Sequence, residues 1–141
     1  MKRFLFFLAV PVILFSSCIS KNYGILPEEP FLQMEITDGS LLYENGTRIE
    51  CSLNDTIVFK ITVYGINDAK IKSLSVSRLD SLTFEDTLLF FTDYGGLDNI
   101  TEYDTIVVDS SFLSHHYSYH FIALPTNSQI ITTYDLSIDL H

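Results

Sequence analysis

Tryptophan is absent from the 141 residues, cysteine occurs twice, proline four times, and only 8 basic side chains stand against 18 acidic ones. The formal charge of −10 disfavours nucleic acid as a partner, because a surface of that sign repels phosphate. Two cysteines, Cys18 and Cys51, allow at most one disulfide. The apolar run Phe4–Phe15 would rise only about 18 Å as a helix, against the roughly 30 Å hydrocarbon core of a bilayer, so a spanning helix is not expected. Internal repeats and low-complexity tracts are missing, and no window beyond the N-terminal segment has the periodicity of an amphipathic helix.

What is present begins with Lys2 and Arg3, continues through the charge-free run Phe4–Phe15, and turns small at Ser16, Ser17 and Cys18. Basic, apolar, small is the order of an export signal. A core helix in that place should carry polar residues on its exposed face, and this run carries none. The tetrapeptide Phe15-Ser16-Ser17-Cys18 resembles the lipobox of bacterial lipoproteins, with phenylalanine where leucine is usual. That resemblance implies a signal helix over residues 1–17 and lipidation of Cys18 on its sulfur and amine. Several acyl chains give stable anchoring where one gives only reversible binding. A thioether at Cys18 leaves Cys51 as a lone, small, buried side chain. The rival is ordinary secretory cleavage, which leaves Cys18 free to pair with Cys51.

Taking residues 1–17 away removes Lys2 and Arg3 and no acid, which leaves 6 basic against 18 acidic side chains, a charge of −12. Residues 18–30, with Pro27 and Pro30 around two glutamates, read as the lipidated cysteine and an extended tether. Residues 31–141 are enough for one domain with a core and too few for two.

Period-two alternation dominates that domain. Ile57, Phe59, Ile61 and Val63 share one face of the run from Asp55 to Tyr64; Tyr134, Leu136 and Ile138 share one face of the run from Gln129 to Leu140. Further β-rich runs are Leu32–Thr37, Arg48–Ser52, Ile71–Leu79, Thr87–Thr92, Tyr103–Val108 and Tyr117–Leu124. Between them fall turn formers such as Asp38-Gly39, Asn45-Gly46 and Gly95-Gly96. Short strands without covering helices predict an all-β fold, a single antiparallel β-sandwich of about seven strands. The succession of lipobox, proline-bearing tether, "DT" strand, "KIKSLSVS" strand, aromatic strand and alternating last strand resembles the small immunoglobulin-like lipoproteins of Bacteroidetes. The resemblance implies a fold and an address, the cell envelope, and no activity.

Four kinds of residue are candidates for chemistry. His115, His116 and His120 would bring two histidines to one face only on a helix; on a strand, His116 and His120 lie roughly 13 Å apart, so no shared ion is expected. The stretch DYGGLDNITEYD reads as an acidic loop with Asp93, Asp98 and Glu102, beside Asn99 and Asp104, as weak oxygen ligands for calcium; solvated loop charge is the plainer account. The triplets at Thr56, Ser81, Thr87 and Thr105 each resemble the Asp-Ser/Thr-apolar acceptor of the O-glycosylation pathway of Bacteroidetes, although an Asp-Thr turn before a strand writes the same triplet. Tyr43 and Tyr94, each near turn residues, are candidate ligand-contact aromatics.

No Gly-x-Ser-x-Gly elbow occurs, and only Arg48 near Cys51 would lower its pKa, so an enzyme is not expected, nor any cofactor. The expected function is a lipid-anchored binding or accessory module that meets a glycan or an envelope protein. The alternative is a structural, fimbria-related subunit assembling by strand exchange through its first or last strand. The residues after Cys18 lack an acidic cluster resembling a surface-export signal, which favours the periplasmic face of the outer membrane.

Overall fold

A computed structural model describes residues 29–39 and 41–141. The signal helix expected over residues 1–17 and the lipidated Cys18 lie outside the described residues. Eight strands follow one another: β1 (Phe31–Thr37), β2 (Thr47–Cys51), β3 (Thr56–Ile66), β4 (Ile71–Asp80), β5 (Asp86–Leu97), β6 (Asn99–Val107), β7 (Tyr117–Pro125) and β8 (Thr132–Leu140). A single 3₁₀ turn, Ser110–Leu113, precedes β7 and is capped by the Asp109 carboxylate, which accepts from the Ser111 N–H at 2.8 Å.

The strands form two sheets, β1-β3-β6 and β2-β8-β7-β4-β5. All pairings are antiparallel except one: β2 runs parallel to β8, Thr47 opposite Leu136 and Cys51 opposite Leu140. A short edge strand can pair this way because the long β1–β2 loop carries the chain across to the other sheet. Asn45-Gly46 fixes it there. The Gly46 N–H donates to the Asp135 carbonyl at 2.7 Å, and the Asp135 N–H to Asn45 Oδ1 at 2.6 Å.

Alternation sets the core between the sheets. Ile57, Phe59, Ile61 and Val63 on β3 face Leu74 and Val76 on β4, Tyr119, Phe121 and Ala123 on β7, and Leu136 and Ile138 on β8, and all of them are buried. Phe59 meets Phe121 edge-on across the interior, centroids 6.0 Å apart at 80°. Such pairs add about 0.5–1.5 kcal/mol to the area they bury.

The stretch expected to be an acidic loop is strand almost throughout. β5 continues to Leu97, β6 begins at Asn99, and Asp98 alone marks the step from the larger sheet to the smaller. Gly95 and Gly96, at φ +64° and +108°, supply the twist that turn chemistry had suggested would end the strand.

The hairpins and crossovers sort into two ends. The described chain enters β1 at Pro30, beside the β3–β4 turn and the β7–β8 connection; the β1–β2 loop, the β2–β3 and β4–β5 turns and the 3₁₀ turn lie at the far end.

Candidate functional site

The outer face of the five-stranded sheet changes character from one side to the other. On β7 and β8 it carries a ladder of polar pairs: His120 Nδ1 to Asp135 Oδ1 at 2.5 Å, Ser118 to Ser137 at 3.3 Å, and His116 Nδ1 to Asp139 Oδ1 at 3.6 Å. The histidines thus point away from the core while Tyr117, Tyr119 and Phe121 point into it. Among the described residues, no three of His, Cys, Asp and Glu gather as metal ligands do.

On β5 the same face is apolar. Asp86, Leu88, Phe91 and Asp93 oppose Leu79, Ser77, Ser75 and Ser73 of β4, and Leu89 is the extra residue of a bulge. Leu88 is 63% and Phe91 59% exposed, while Phe90 and Tyr94 on the opposite face pack on the core. Before β5 the turn presents Leu82 at 64% and Phe84 at 82% exposure. Phe84 sits at φ +57°, a region that bulky side chains avoid.

Asp80 holds that turn. Its carboxylate accepts from the Leu82 N–H at 2.8 Å and meets His115 Nδ1 at 2.6 Å, and its carbonyl accepts from the Phe84 N–H at 2.8 Å. Burial opposes ionisation of Asp80, but the bonds from Leu82, Thr83 and His115 together bring its carboxyl below the usual carboxylate range.

Tyr43 is 7% exposed, its ring edge-on to Phe59 at 6.1 Å and its hydroxyl donating to Asp38 at 2.7 Å, so this loop residue belongs to the core and offers no exposed ring. Burial first, and the Asp38 carboxylate after it, push that phenol up to about 12. Tyr94 is half-buried on the inner face of β5 and donates to Glu102 at 2.7 Å, which likewise removes it as a platform for ligand stacking.

The weak calcium candidates do not converge. Asp93 accepts from the Gly95 N–H at 2.9 Å, Asp98 pairs with Lys70, and Glu102 is held by Tyr94. Thr56, Ser81, Thr87 and Thr105 are all exposed, and the strand register places all four towards the far end.

Shallow concavities of about 440, 420 and 470 Å³ are among those that indent the described surface. The first holds Cys51 beside Asp38, Glu50 and Asp55 and contains no histidine. Burial, then Asp55 and Asp139, push the Cys51 thiol up, so it stays protonated and a poor nucleophile. With Cys18→Ser leaving Cys51 as the only thiol, maleimide labelling at neutral pH should run about tenfold or more slower in the folded chain than in urea. Equal rates would show Cys51 to be accessible.

No protein-family model matches the chain, and no curated protein does either. Among solved structures, it is similar over 79% of its length to a family 123 glycoside hydrolase from Clostridium perfringens, at 10% identity and a TM-score of 0.52. It spans 27% of that hydrolase. It is also similar to the CARDB domain of a Pyrococcus furiosus protein, at 14% identity over 81% of this chain and 99% of that one, with a TM-score of 0.44. Murine CRIg matches at 7% identity over 79% of this chain and 98% of its own, with a TM-score of 0.46. At such identities likeness speaks of the fold alone. The two sheets packed about one core make the chain a β-sandwich.

The apolar outer row of β5 escaped the reading of the sequence. Its signal was there: Leu88-Leu89-Phe90-Phe91 does not alternate, which is the mark of a strand apolar on both faces. Such a run is ordinarily covered on both sides, and here the described residues cover only one.

Proposed function

We propose that this chain is a lipid-anchored cell-envelope protein whose sandwich acts as a binding or accessory module. The observation that carries the reading is the order of Lys2-Arg3, the apolar run and Phe15-Ser16-Ser17-Cys18 ahead of a tether that leads directly into β1. Anchored through Cys18, the domain meets the membrane with its tether end and turns the far end outwards. A protein or glycan of the envelope is the partner, the outer membrane the address, and its periplasmic face the side. The exposed hydroxyls of Thr56, Ser81, Thr87 and Thr105 at the far end suit bulky surface glycans, which need room.

Mass spectrometry of the mature N-terminus tests the anchor. The expected result is a chain beginning at an acylated Cys18, and loss of membrane partitioning in Cys18→Ser. A mature chain with any other first residue would overturn the reading.

A second reading, a structural subunit assembled by strand exchange, draws on the place of β1 at an edge of its sheet, where leaving breaks one pairing. β8 lies between β2 and β7 and would have to break two. Oligomers that grow with concentration favour this reading, and a strict monomer excludes it.

A further inference from the structure

We propose that the free edge of β5 is a strand-addition site for an extended protein segment whose apolar residues are bracketed by lysine or arginine. The proposal rests on the binding-module reading and names the surface and the chemistry of its partner.

Four strands form the edges of the two sheets, and three of them are guarded as natural edges are. β1 is short, follows Pro30, and carries Glu35 tied to the Tyr64 hydroxyl at 2.7 Å. β2 has five residues, with Arg48 and Glu50 exposed. β6 turns Glu102 and Asp104 inwards, and one oxygen of Asp104 is cut off from solvent. β5 is the longest strand, at 12 residues, has neither proline nor a basic residue, and turns Phe90, Thr92 and Tyr94 inwards. Its devices are the bulge at Leu89 and a second break of register between Asp93 and Leu97, and both leave the stretch Thr87–Thr92 free of charge.

The row that an added strand would meet reads Asp86, Leu88, Phe91, Asp93. An uncharged stretch, Thr87–Thr92, lies between two carboxylates, so the complement is apolar in the middle and positive at both ends. A second copy does not fit that description. Antiparallel self-pairing that sets Leu88 against Phe91 also sets Asp86 against Asp93 at both ends, between chains that each carry −10 overall. A partner with basic brackets is drawn to the same field that repels a copy.

The turn before β5 extends the surface. Leu82 and Phe84 stand out where Asp80 and His115 lock the backbone, with Phe84 held in a left-handed conformation. An exposed aromatic kept in a costly backbone state is pre-organised, and pre-organised aromatics anchor interfaces. β-strand addition then takes its affinity from main-chain hydrogen bonds along β5 and its selectivity from the side-chain row.

The test uses the full chain in mild detergent and a fluorescein-labelled eight-residue peptide of alternating valine and threonine with a lysine at each end. Anisotropy should show saturable binding. Leu88→Lys with Phe91→Lys should weaken it by about tenfold or more, with an unchanged thermal melt because both side chains are exposed. Asp86→Lys with Asp93→Lys should transfer the preference to a peptide with glutamate ends, and N-methylation of alternate peptide amides should abolish binding. Equal binding of lysine- and glutamate-ended peptides, or insensitivity to N-methylation, overturns the proposal. So does a dimer through β5 that excludes the peptide. An acylated Cys18 together with any of these results leaves the anchored-module reading standing while the β5 assignment fails.

Discussion

Phe59→Ala is expected to cost about 3–5 kcal/mol of folding free energy, a large share of the roughly 5–15 kcal/mol that holds a domain folded. The side chain is fully buried at the centre of the smaller sheet, and its ring joins three elements: β3 itself, Phe121 on β7, and Tyr43 from the β1–β2 loop. Truncation therefore opens a cavity between two sheets, each stiffened by its own hydrogen-bond ladders, and collapse around it would require both to move. At roughly 4–8 °C per kcal/mol, the melting temperature should fall by tens of degrees, read by circular dichroism on the mature chain. Phe91→Ala is the contrast: a ring 59% exposed on the outer face of β5 should change stability by no more than about 0.5 kcal/mol. A loss under about 1 kcal/mol for Phe59→Ala would mean that the two sheets are not packed through this ring.

The contrast between those two phenylalanines also shows what the sequence could reveal. Alternation identified the inward row of β3 residue by residue, and the same period-two logic turned Tyr117, Tyr119 and Phe121 inwards and His116 and His120 outwards. Period, however, fixes which face a side chain takes and says nothing about which strand lies beside it. That β2 would cross to pair parallel with β8, and that β5 and β6 would fall in different sheets with only Asp98 between them, is set by long-range packing.

Local chemistry misled at two sites for a related reason. Asp, Asn and Gly in DYGGLDNITEYD are turn formers, yet β4 and β3 offer ladders that hold the segment extended. Tyr43 stands among turn residues, but its N–H donates to the Ile36 carbonyl at 2.9 Å and swings the ring under Phe59. The apolar row of β5 was written plainly in Leu88-Leu89-Phe90-Phe91. A single sequence could not say whether another element of the same chain covered it.

Gly65→Ala should be the most damaging small substitution, since it adds one methyl group. A Cβ at Gly65 would lie 1.9 Å from the Ala69 carbonyl oxygen and 2.8 Å from its carbonyl carbon. Both atoms are backbone, so no rotamer change relieves the overlap. Ala69 cannot easily retreat, being 1% exposed with its N–H bonded to the Ile66 carbonyl at 3.2 Å, and Gly65 is itself tied to the Asp98 carbonyl at 2.9 Å. Two effects oppose each other. Because Gly65 does not occupy the left-handed region, alanine would restrict the unfolded chain and stabilise by about 0.4–1 kcal/mol. Overpacking costs about 1–3 kcal/mol where side chains can yield, and more where only backbone can, so the clash decides the sign and the expected net loss is about 2 kcal/mol. Gly39→Ala separates the two causes, because that site has open space and φ +97°, and its cost is conformational alone, about 1–2 kcal/mol. Urea titration should show both midpoints lowered at an unchanged slope. Only Gly65→Ala should also loosen the β5–β6 step, because the displaced Ala69 carries with it Lys70, the partner of Asp98 and, through its N–H at 3.0 Å, of Asn127. Faster amide exchange at Lys70 in Gly65→Ala, with none in Gly39→Ala, would mark that local opening; equal exchange in both would place the cost elsewhere.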